Sequence, residues 1–399
     1  MTVTDQPAAL DRFRAAVLAD EALQLELVAF HDLARFIACA VARAAGLGIT
    51  LNPEALAPEA RYDPFGLYRL LERPVLVDGW LPRHWLPTEV LEVDGVLSVG
   101  WLHFAGAPLA EPFFEGSIRR IQSRPFNRLF RFVTPVNAFV SRAEAAAPVD
   151  GFIFHMSRCG STLVAQMLAA VPGQIIVSEA PVLDAVIQLV ASGAVPPESI
   201  KAMVDALARD RTGQCRRRFI KLDSWHAFVM PLLRRVFPEV PWVFLYRDPV
   251  EVLVSHQRMA GLQALPGVVP ISLFGVGGAE AVPHADYCAW LHGQICAAAL
   301  AELPHGRGLL ANYRDLPDAV FASILPHFGL EPDGVEQAKM AAAGSRDAKA
   351  PNLRFASDTV AKHAEATAAI QNAARRHMSV VYAKLESAQL ADPEQHQQV

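Results

Sequence analysis

The stretch Gly151-Phe-Ile-Phe-His-Met-Ser-Arg-Cys-Gly-Ser-Thr-Leu163 decides the fold class of this chain. Its first six residues form a short apolar run typical of a buried strand, and the small residues that follow predict a tight turn into a helix. Such a turn directs several backbone N–H groups at one point, where the helix dipole also favours an anion. The stretch therefore predicts a phosphate-binding loop at the end of a strand.

Four more apolar runs follow along the chain, and each precedes a segment with helical spacing. Continuous apolar strands that alternate with helices are typical of a parallel sheet covered by helices on both faces. We therefore expect an α/β fold with a P-loop-type sheet, whose ligand site lies at the carboxyl ends of the strands. The four runs are residues 174–177, 218–222, 241–246 and 308–312.

The loop lacks the signature of a site for a nucleoside triphosphate. The pattern GxxxxGK[ST] requires glycine at position 155 and lysine at position 161, but the chain has His155 and Ser161. Thr162 could still hold a metal, so a P-loop kinase of small molecules stays an alternative. Arg158, Gly160 and the two hydroxyl residues fit one terminal anionic group without a metal, although the same string can also be plain helix capping.

A second strand end carries a similar combination of residues. Arg247 ends the run 241–246, Pro249 opens a helix at a position that suits proline, and Ser255 lies two helical turns further on. An arginine at a strand end and a hydroxyl on the following helix can both contact a second phosphate. The alternative is a structural cap made by the Arg-Asp pair.

Together the two segments resemble the sulfotransferases that use 3′-phosphoadenosine 5′-phosphosulfate (PAPS). The first is similar to the family's loop for the 5′-phosphosulfate, and the second is similar to its segment for the 3′-phosphate. A third segment, residues 312–316, resembles the family's "YEDL", with Arg314 in place of the usual acid. The resemblance covers about residues 150–330 and implies PAPS as co-substrate without a metal. It implies these donor-binding residues: Arg158, Cys159, Gly160, Ser161, Thr162, Leu163, Arg247 and Ser255.

The general base is best compared with the branch that resembles tyrosylprotein sulfotransferases. The resemblance implies that Glu179, after the second predicted strand, takes the acceptor's proton, and we expect a closed, partly apolar cleft to raise its pKa. It also implies that Lys221, at the end of the next strand, and Arg158 stabilise charge on the sulfuryl oxygens. Asp223 is the alternative base, because other sulfotransferases have a histidine there, and His226 is a weaker one.

The roles of a basic loop and of Cys159 each have two interpretations. The family often closes a basic loop over the nucleotide, which implies Arg346, Lys349 and Arg354 as donor-binding residues, although a solvated run of charge explains them equally. Cys159 is either a thiol whose pKa a helix start lowers, or a small residue where the family has serine. The acceptor stays open between a small molecule and a peptide, because the arginine with which the branch recognises acidic peptides is absent from residues 179–182.

The composition limits the partners and the compartment. The net charge is −5, so there is no bulk positive field to hold nucleic acid or an anionic membrane surface. Five cysteines without a CxxC pair argue against a disulfide framework and a cysteine-based zinc site, and no apolar run approaches a membrane span. We therefore expect a cytoplasmic protein. Only six of its 36 basic residues are lysines, so a lysine at position 221 suggests that a point charge is needed there, unless codon usage explains it.

The part of the chain before the predicted catalytic region is predicted to form two accessory regions. Residues 1–61 have helical spacing and resemble the nitrogen-fixation-associated leader-peptide domains over about 50 residues. Residues 62–148 are rich in short strands, with a hairpin turn at Asp94-Gly95 and a tryptophan cluster expected in the core. The sulfotransferase domain is then residues 149–390. A catalytically idle binding protein, which recruits a protein partner through the N-terminal regions, is the alternative from another functional class.

Overall fold

A computed structural model of the chain describes residues 6–56, 73–144, 147–277, 283–347 and 358–391. The chain forms two compact units, one of Met1–Ala146 with Asp205–Gly213 and one of Ala147–Val204 with Gln214–Val399. Both predicted accessory regions fall in the first unit, and the expected boundary between them lies outside the described residues. The division into three regions stays a prediction.

The first unit begins with helices, which confirms the predicted helical region. Asp20 and Asp32 cap two of them, since their side chains accept hydrogen bonds from the amides of Leu23 (3.0 Å) and Arg35 (2.8 Å). Of the apolar positions with this spacing, Phe13 and Phe36 are buried, whereas Phe30, Leu33 and Ile37 are half-buried. The helices are α1 (Gln6–Ala19), α2 (Glu21–Val28), α3 (Leu33–Gly46) and α4 (Pro53–Leu56).

A four-stranded sheet forms the rest of this unit, in the order β1-β4-β3-β2. The predicted hairpin is confirmed: β2 and β3 pair antiparallel, and Asp94 (φ 52°) and Gly95 (φ 78°) both have the positive φ that a tight hairpin turn requires. Trp85 and Trp101 are buried in the core as expected, and Trp80 is half-buried. The strands are β1 (Val75–Leu76), β2 (Trp85–Val93), β3 (Val96–His103) and β4 (Phe132–Pro135), with helices α5 (Phe114–Gln122), α6 (Pro125–Leu129) and α7 (Val136–Ser141).

The segment Asp205–Gly213 belongs to the first unit although it lies within the predicted catalytic region. The buried guanidinium of Arg209 donates hydrogen bonds to the carbonyls of Leu81 (2.6 Å) and Trp85 (3.0 Å). Arg211 donates to the carbonyl of Ala107 at 2.8 Å. These contacts join residues more than 100 positions apart, so no local pattern in the sequence indicates them.

A parallel five-stranded sheet forms the centre of the second unit, in the order β6-β7-β5-β8-β9. All five predicted strands are confirmed, and no strand end differs from its predicted position by more than one residue. Each residue of the central strands β5 and β8 is buried, as their continuous apolar sequences require. The strands are β5 (Gly151–His155), β6 (Gln174–Ser178), β7 (Arg217–Lys221), β8 (Trp242–Tyr246) and β9 (Gly308–Asn312).

Helices flank this sheet, which makes the second unit an α/β fold as predicted. Those that connect the strands are α8 (Ser161–Ala169), α9 (Pro181–Ala191), α10 (Glu198–Leu207), α11 (Met230–Val236), α12 (Pro249–Arg258) and α13 (His284–Glu302). Those that follow β9 are α14 (Leu325–His327), α15 (Gly334–Gly344), α16 (Thr359–Glu365), α17 (Ala368–His377) and α18 (Ser379–Ala391). Within the described ranges, no helix combines the length and the apolar character needed to cross a membrane.

The order of the strands creates one place suited to a ligand. From β5 the chain runs to β6 and β7 on one side, and it then crosses to β8 on the other side of β5. In open parallel sheets, ligands bind beside the carboxyl ends of the strands at such a switch point. The loop after β5 and the segment after β8 therefore lie where a ligand is expected.

Candidate functional site

The loop that connects β5 to α8 has an unusual backbone. Ser157 (φ 76°), Arg158 (φ 52°) and Gly160 (φ 84°) all have positive φ, a conformation that is uncommon for residues other than glycine. A Cβ atom at Gly160 would lie 2.6 Å from a methyl of Leu316 and 2.8 Å from the ring of Tyr313. Glycine is therefore required at this position for both conformation and space.

The apolar residues predicted to bind the donor, Cys159 in the loop and Leu163 in the first turn of α8, are buried. The Cys159 thiol donates to the carbonyl of Leu245 at 3.1 Å, and burial raises its pKa to about 11. The thiol is therefore protonated at neutral pH, so the interpretation of Cys159 as a low-pKa nucleophile is wrong. Leu163 is buried as well, whereas Arg158 is half-buried and donates to the carbonyl of Met259 at 2.7 Å.

Arg247 follows β8 and is held on several sides. Its Nε donates to the Glu251 carboxylate at 2.7 Å, and its Nη2 donates to the Asp358 carboxylate at 2.7 Å. The guanidinium carbon lies 3.7 Å from the centre of the Tyr313 ring, in a stacked cation–π contact. Arg247 is therefore a buried, oriented cation at the carboxyl end of a central strand.

Helix α12 positions Ser255 beside this arginine. Asp248 caps the helix, since its carboxylate accepts hydrogen bonds from the amides of Val250 (2.9 Å) and Glu251 (3.1 Å). The Ser255 hydroxyl donates to the Glu251 carbonyl at 2.7 Å. The capping role that the sequence left open thus belongs to the aspartate, while Arg247 and Ser255 both line a cleft.

One cleft of about 320 Å³ brings the two predicted anion-binding segments together. All eight residues of the two segments that the sequence predicts to bind a donor line it. The sequence did not single out six of its residues for this site: Arg258, Met259, Tyr313, Asp347, Asp358 and Lys362. Tyr313 could have been found from its place next to Asn312 in the third segment, but Arg314 of that segment pairs with Glu386 at 2.5 Å and is not among the lining residues.

Only part of the predicted basic loop lies within the described residues. Arg346 is exposed and is not among the residues that line the cleft. Lys349 and Arg354 lie outside the described residues. Their roles in binding a donor stay predictions.

The carboxyl ends of β5, β6 and β7 place three ionisable side chains at one point. The buried ammonium of Lys221 forms an ion pair with the Glu179 carboxylate, and Nε2 of His155 lies 3.2 Å from the same carboxylate oxygen. His155 accepts a hydrogen bond from the amide of Ser157 at its Nδ1 (3.0 Å), so its neutral ring carries the proton on Nε2. Glu179 also has a positive φ of 49°, as Arg158 does in the loop nearby. Such backbone outliers cluster at functional sites.

The pKa of Glu179 differs from the expectation. Burial alone would raise it, but the Lys221 ammonium and the neighbouring His155 outweigh burial and hold the pKa well below its usual value. The predicted upward shift is therefore wrong, because the surroundings that bury the carboxylate also supply its counter-charge. Glu179 and Lys221 are not among the residues that line the 320 Å³ cleft. Glu179 is ionised at neutral pH.

Asp223, the alternative base, has the opposite shift. Burial is the main cause that raises its pKa to about 7, and the carboxylates of Glu179 and Asp184 act in the same direction. Its backbone amide donates to Nδ1 of His226 at 3.2 Å, and Nε2 of His226 lies 2.9 Å from the Asp184 carboxylate. His226 is thus buried with both ring nitrogens engaged, which favours a structural role.

Three groups of side chains in the described residues have a spacing that could hold a metal ion. The first is Asp184, Asp223 and His226, and the second is Asp248, Glu251 and His363. The third is His256, Cys288 and His292, which are buried. Several members of the first two groups already take part in the hydrogen bonds described above. The expectation that the reaction needs no metal stays a prediction.

Comparisons with known proteins give structural similarities. No family model matches the chain, and no curated protein matches it in sequence. The sulfotransferase STF9 from Mycobacterium avium is similar over 52% of this chain and 71% of its own, at 14% identity and a TM-score of 0.34. STF1 from Mycobacterium tuberculosis H37Rv is similar over 58% and 82%, at 14% identity and a TM-score of 0.32. The sulfotransferase domain of the Synechococcus PCC 7002 olefin synthase is similar over 61% and 95%, at 17% identity and a TM-score of 0.33.

Proposed function

We propose that the chain is a sulfotransferase that transfers the sulfuryl group of PAPS to a hydroxyl or amine of a small-molecule or peptide acceptor. The main support for the proposal is the position of two segments in the fold. The loop after β5 and the Arg247–Ser255 segment after β8, which resemble the two phosphate-binding motifs of that family, line the same cleft at the switch point of the sheet. The two motifs thus meet at one site, as a nucleotide with two anionic groups requires.

The residues of the cleft fit a nucleotide with two anionic ends. At one end we place the helix start of α8 and Arg158, next to Gly160, whose lack of a side chain makes room for Leu316 and Tyr313. At the other end lie Arg247 and Ser255, where the Asp358 carboxylate already forms a hydrogen bond with the arginine. We assign the 5′-phosphosulfate to the first end and the 3′-phosphate to the second.

The chemistry needs positioning and charge stabilisation more than covalent catalysis. PAPS would supply the sulfuryl group, whose bond to the 5′-phosphate oxygen breaks as its bond to the acceptor oxygen or nitrogen forms. Arg158 and Lys221 would stabilise the charge on the sulfuryl and bridging oxygens. Glu179, ionised next to Lys221, would accept the proton of the acceptor.

The Lys221–Glu179 ion pair links these two roles. While Lys221 neutralises Glu179, the carboxylate is a weak base, because its low pKa disfavours the protonated form. If Lys221 contacts the donor instead, Glu179 keeps its burial but loses its main counter-charge, so its pKa rises towards the range that suits a general base. Donor binding would therefore activate the base.

A turnover assay tests the proposal. Purified full-length chain is incubated with PAPS and a panel of alcohols, phenols, amines, sugars and peptides, and the desulfated nucleotide is measured. We expect its release to depend on at least one acceptor class and on Arg158, and expect no phosphoryl transfer when ATP replaces PAPS. Turnover with ATP would support the kinase alternative, and the absence of turnover together with the absence of nucleotide binding would support an idle binding protein.

A further inference from the structure

The cationic corner of the cleft around Arg247 already holds a carboxylate. Oδ1 of Asp358 accepts a hydrogen bond from Nη2 of Arg247 at 2.7 Å, while Oδ2 lies 2.9 Å from Nζ of Lys362. Oδ2 also lies 3.9 Å from the Arg258 guanidinium. Both oxygens of Asp358 are therefore bound by cations, in the way that proteins bind the oxygens of a phosphate.

Two of the cations in this cluster are buried, whereas the anion is more accessible to solvent. The side chains of Arg247 and Lys362 are each only 5% exposed, whereas that of Asp358 is 39% exposed. Lys362 lies one helical turn after Asp358, so α16 supplies both the carboxylate and one of its cations. A buried lysine and a buried arginine that converge on a solvent-accessible point form a pre-organised anion site.

Asp358 stands at a helix start without capping the helix. In α2, α3, α12 and α15 the preceding aspartate accepts hydrogen bonds from the amides of the first turn. Asp358 precedes α16 in the same position, but its side chain makes no such bond. Its carboxylate points instead at Arg247 and Lys362, so it could turn away from the cleft without breaking a helix cap.

The charges at this corner cancel. Three cations meet three carboxylates: Arg247, Arg258 and Lys362 against Glu251, Glu365 and Asp358. A phosphate monoester carries about −1.5 to −2 charges at neutral pH. It could not enter while Asp358 shares the same cations without strong repulsion between like charges, whereas removal of Asp358 leaves a net positive site.

We propose that Asp358 is an internal competitor of the donor nucleotide. Its carboxylate occupies the place that the 3′-phosphate takes between Arg247, Arg258 and Lys362, and it leaves that place when the nucleotide binds. This inference rests on the proposed function and adds two phosphate ligands, Arg258 and Lys362, to those that the sequence indicated. The affinity for the donor then depends on competition between the Asp358 carboxylate and the 3′-phosphate for one site.

Calorimetric titration of the full-length chain with adenosine 3′,5′-bisphosphate tests this inference. We expect Asp358→Asn, which keeps the shape of the side chain and removes its charge, to bind the bisphosphate at least about tenfold more tightly. Adenosine 5′-monophosphate, which lacks the 3′-phosphate, should show no such gain. The matched control is Asp286→Asn, which removes the charge of an aspartate that accepts a hydrogen bond from Arg376 at 2.7 Å and is not among the residues that line the cleft; we expect a change below about threefold.

A second variant keeps the test decisive if Asp358→Asn is unstable. Lys362→Met should weaken bisphosphate binding by about tenfold or more, although it also removes a cation that holds the competitor. Equal affinity of the native chain and Asp358→Asn, or an equal gain for the monophosphate, would overturn the inference while the proposed function stands. If neither the native chain nor any variant binds the bisphosphate, the proposed function fails and this inference fails with it.

Discussion

The Glu179 carboxylate and the Lys221 ammonium form an ion pair at the carboxyl ends of the neighbouring strands β6 and β7. Strand pairing places the two residues side by side, because Ser178 pairs with Lys221 and the amide of Glu179 donates to the Lys221 carbonyl at 2.8 Å. The base and the charge-stabilising residue of the proposed reaction are therefore fixed relative to each other by the sheet itself. Their interaction determines how strong a base Glu179 can be.

Glu179→Gln should abolish transfer and preserve donor binding. Glutamine keeps the size of the side chain but cannot accept the acceptor's proton, so we expect turnover to fall by about 10² to 10⁴-fold. Bisphosphate affinity, measured by calorimetry, should change little. If turnover persists and Asp223→Asn abolishes it instead, the base is Asp223.

Lys221→Met should change the pH dependence of the reaction as well as its rate. Burial raises the pKa of Glu179 and Lys221 lowers it, so removal of the ammonium leaves burial less opposed and the pKa rises. Because the base must be ionised to act, the acidic limb of the pH profile of kcat/KM for the donor, which reports the free enzyme, should move to higher pH. Lys339→Met, at an exposed position on α15, is the matched control and should leave the profile unchanged. An unshifted limb in Lys221→Met would contradict the proposed coupling.

Asp223→Asn should alter stability in a pH-dependent way. The pKa of this buried carboxyl is raised from the ordinary value to about 7, so its contribution to stability is fully present below the unfolded pKa and is lost as the pH rises through 7. The variant, which cannot ionise, should therefore gain stability over the native chain at pH 8 and show little gain at pH 4. Denaturant unfolding at both pH values measures the difference. A gain confined to pH 4 would contradict the assigned direction of the shift.

Ser255→Ala should weaken bisphosphate binding without unfolding the protein. The loss of one hydrogen bond to a phosphate corresponds to about 1.5–3 kcal/mol, which is roughly ten- to a hundredfold in affinity. Ser323→Ala is a matched control, since Ser323 makes the same type of bond to the carbonyl four residues earlier (2.9 Å) and is not among the residues that line the cleft. Equal affinities of the two variants would remove Ser255 from the site.

Gly160→Ala should damage both stability and nucleotide binding. The added methyl meets Leu316 and Tyr313 at less than 3 Å, and alanine is strained at φ 84°. Backbone strain of this kind costs about 1–3 kcal/mol, so the melting temperature should fall and the affinity for the bisphosphate with it. An unchanged melting temperature would contradict this prediction, because it would show that the loop accommodates the methyl group without loss of stability.

The sequence predicted the elements that depend on local patterns. The five parallel strands are continuous apolar runs, and the Asp94-Gly95 turn supplies the positive φ values of a hairpin, so both follow from short stretches of chain. The meeting of Arg158 and Arg247 in one cleft could be expected as well, because carboxyl ends of parallel strands share one edge.

Contacts between distant residues could not be predicted in the same way. Asp358 binds an arginine 111 positions earlier, and nothing in the residues around it indicates that its carboxylate enters the cleft instead of capping α16. The pKa of Glu179 was predicted with the wrong sign, because burial is readable from an apolar strand whereas the strength of a specific ion pair depends on geometry. The placement of Arg209 in the first unit has the same explanation.

Whether the cleft binds a PAPS-type nucleotide is tested most directly by calorimetric titration of adenosine 3′,5′-bisphosphate into the full-length chain and into Asp358→Asn. We predict saturable binding at one site per chain, tighter in Asp358→Asn than in the native chain and weakened in both by Ser255→Ala. The absence of saturable binding in both the native chain and Asp358→Asn, at millimolar ligand, would contradict this prediction.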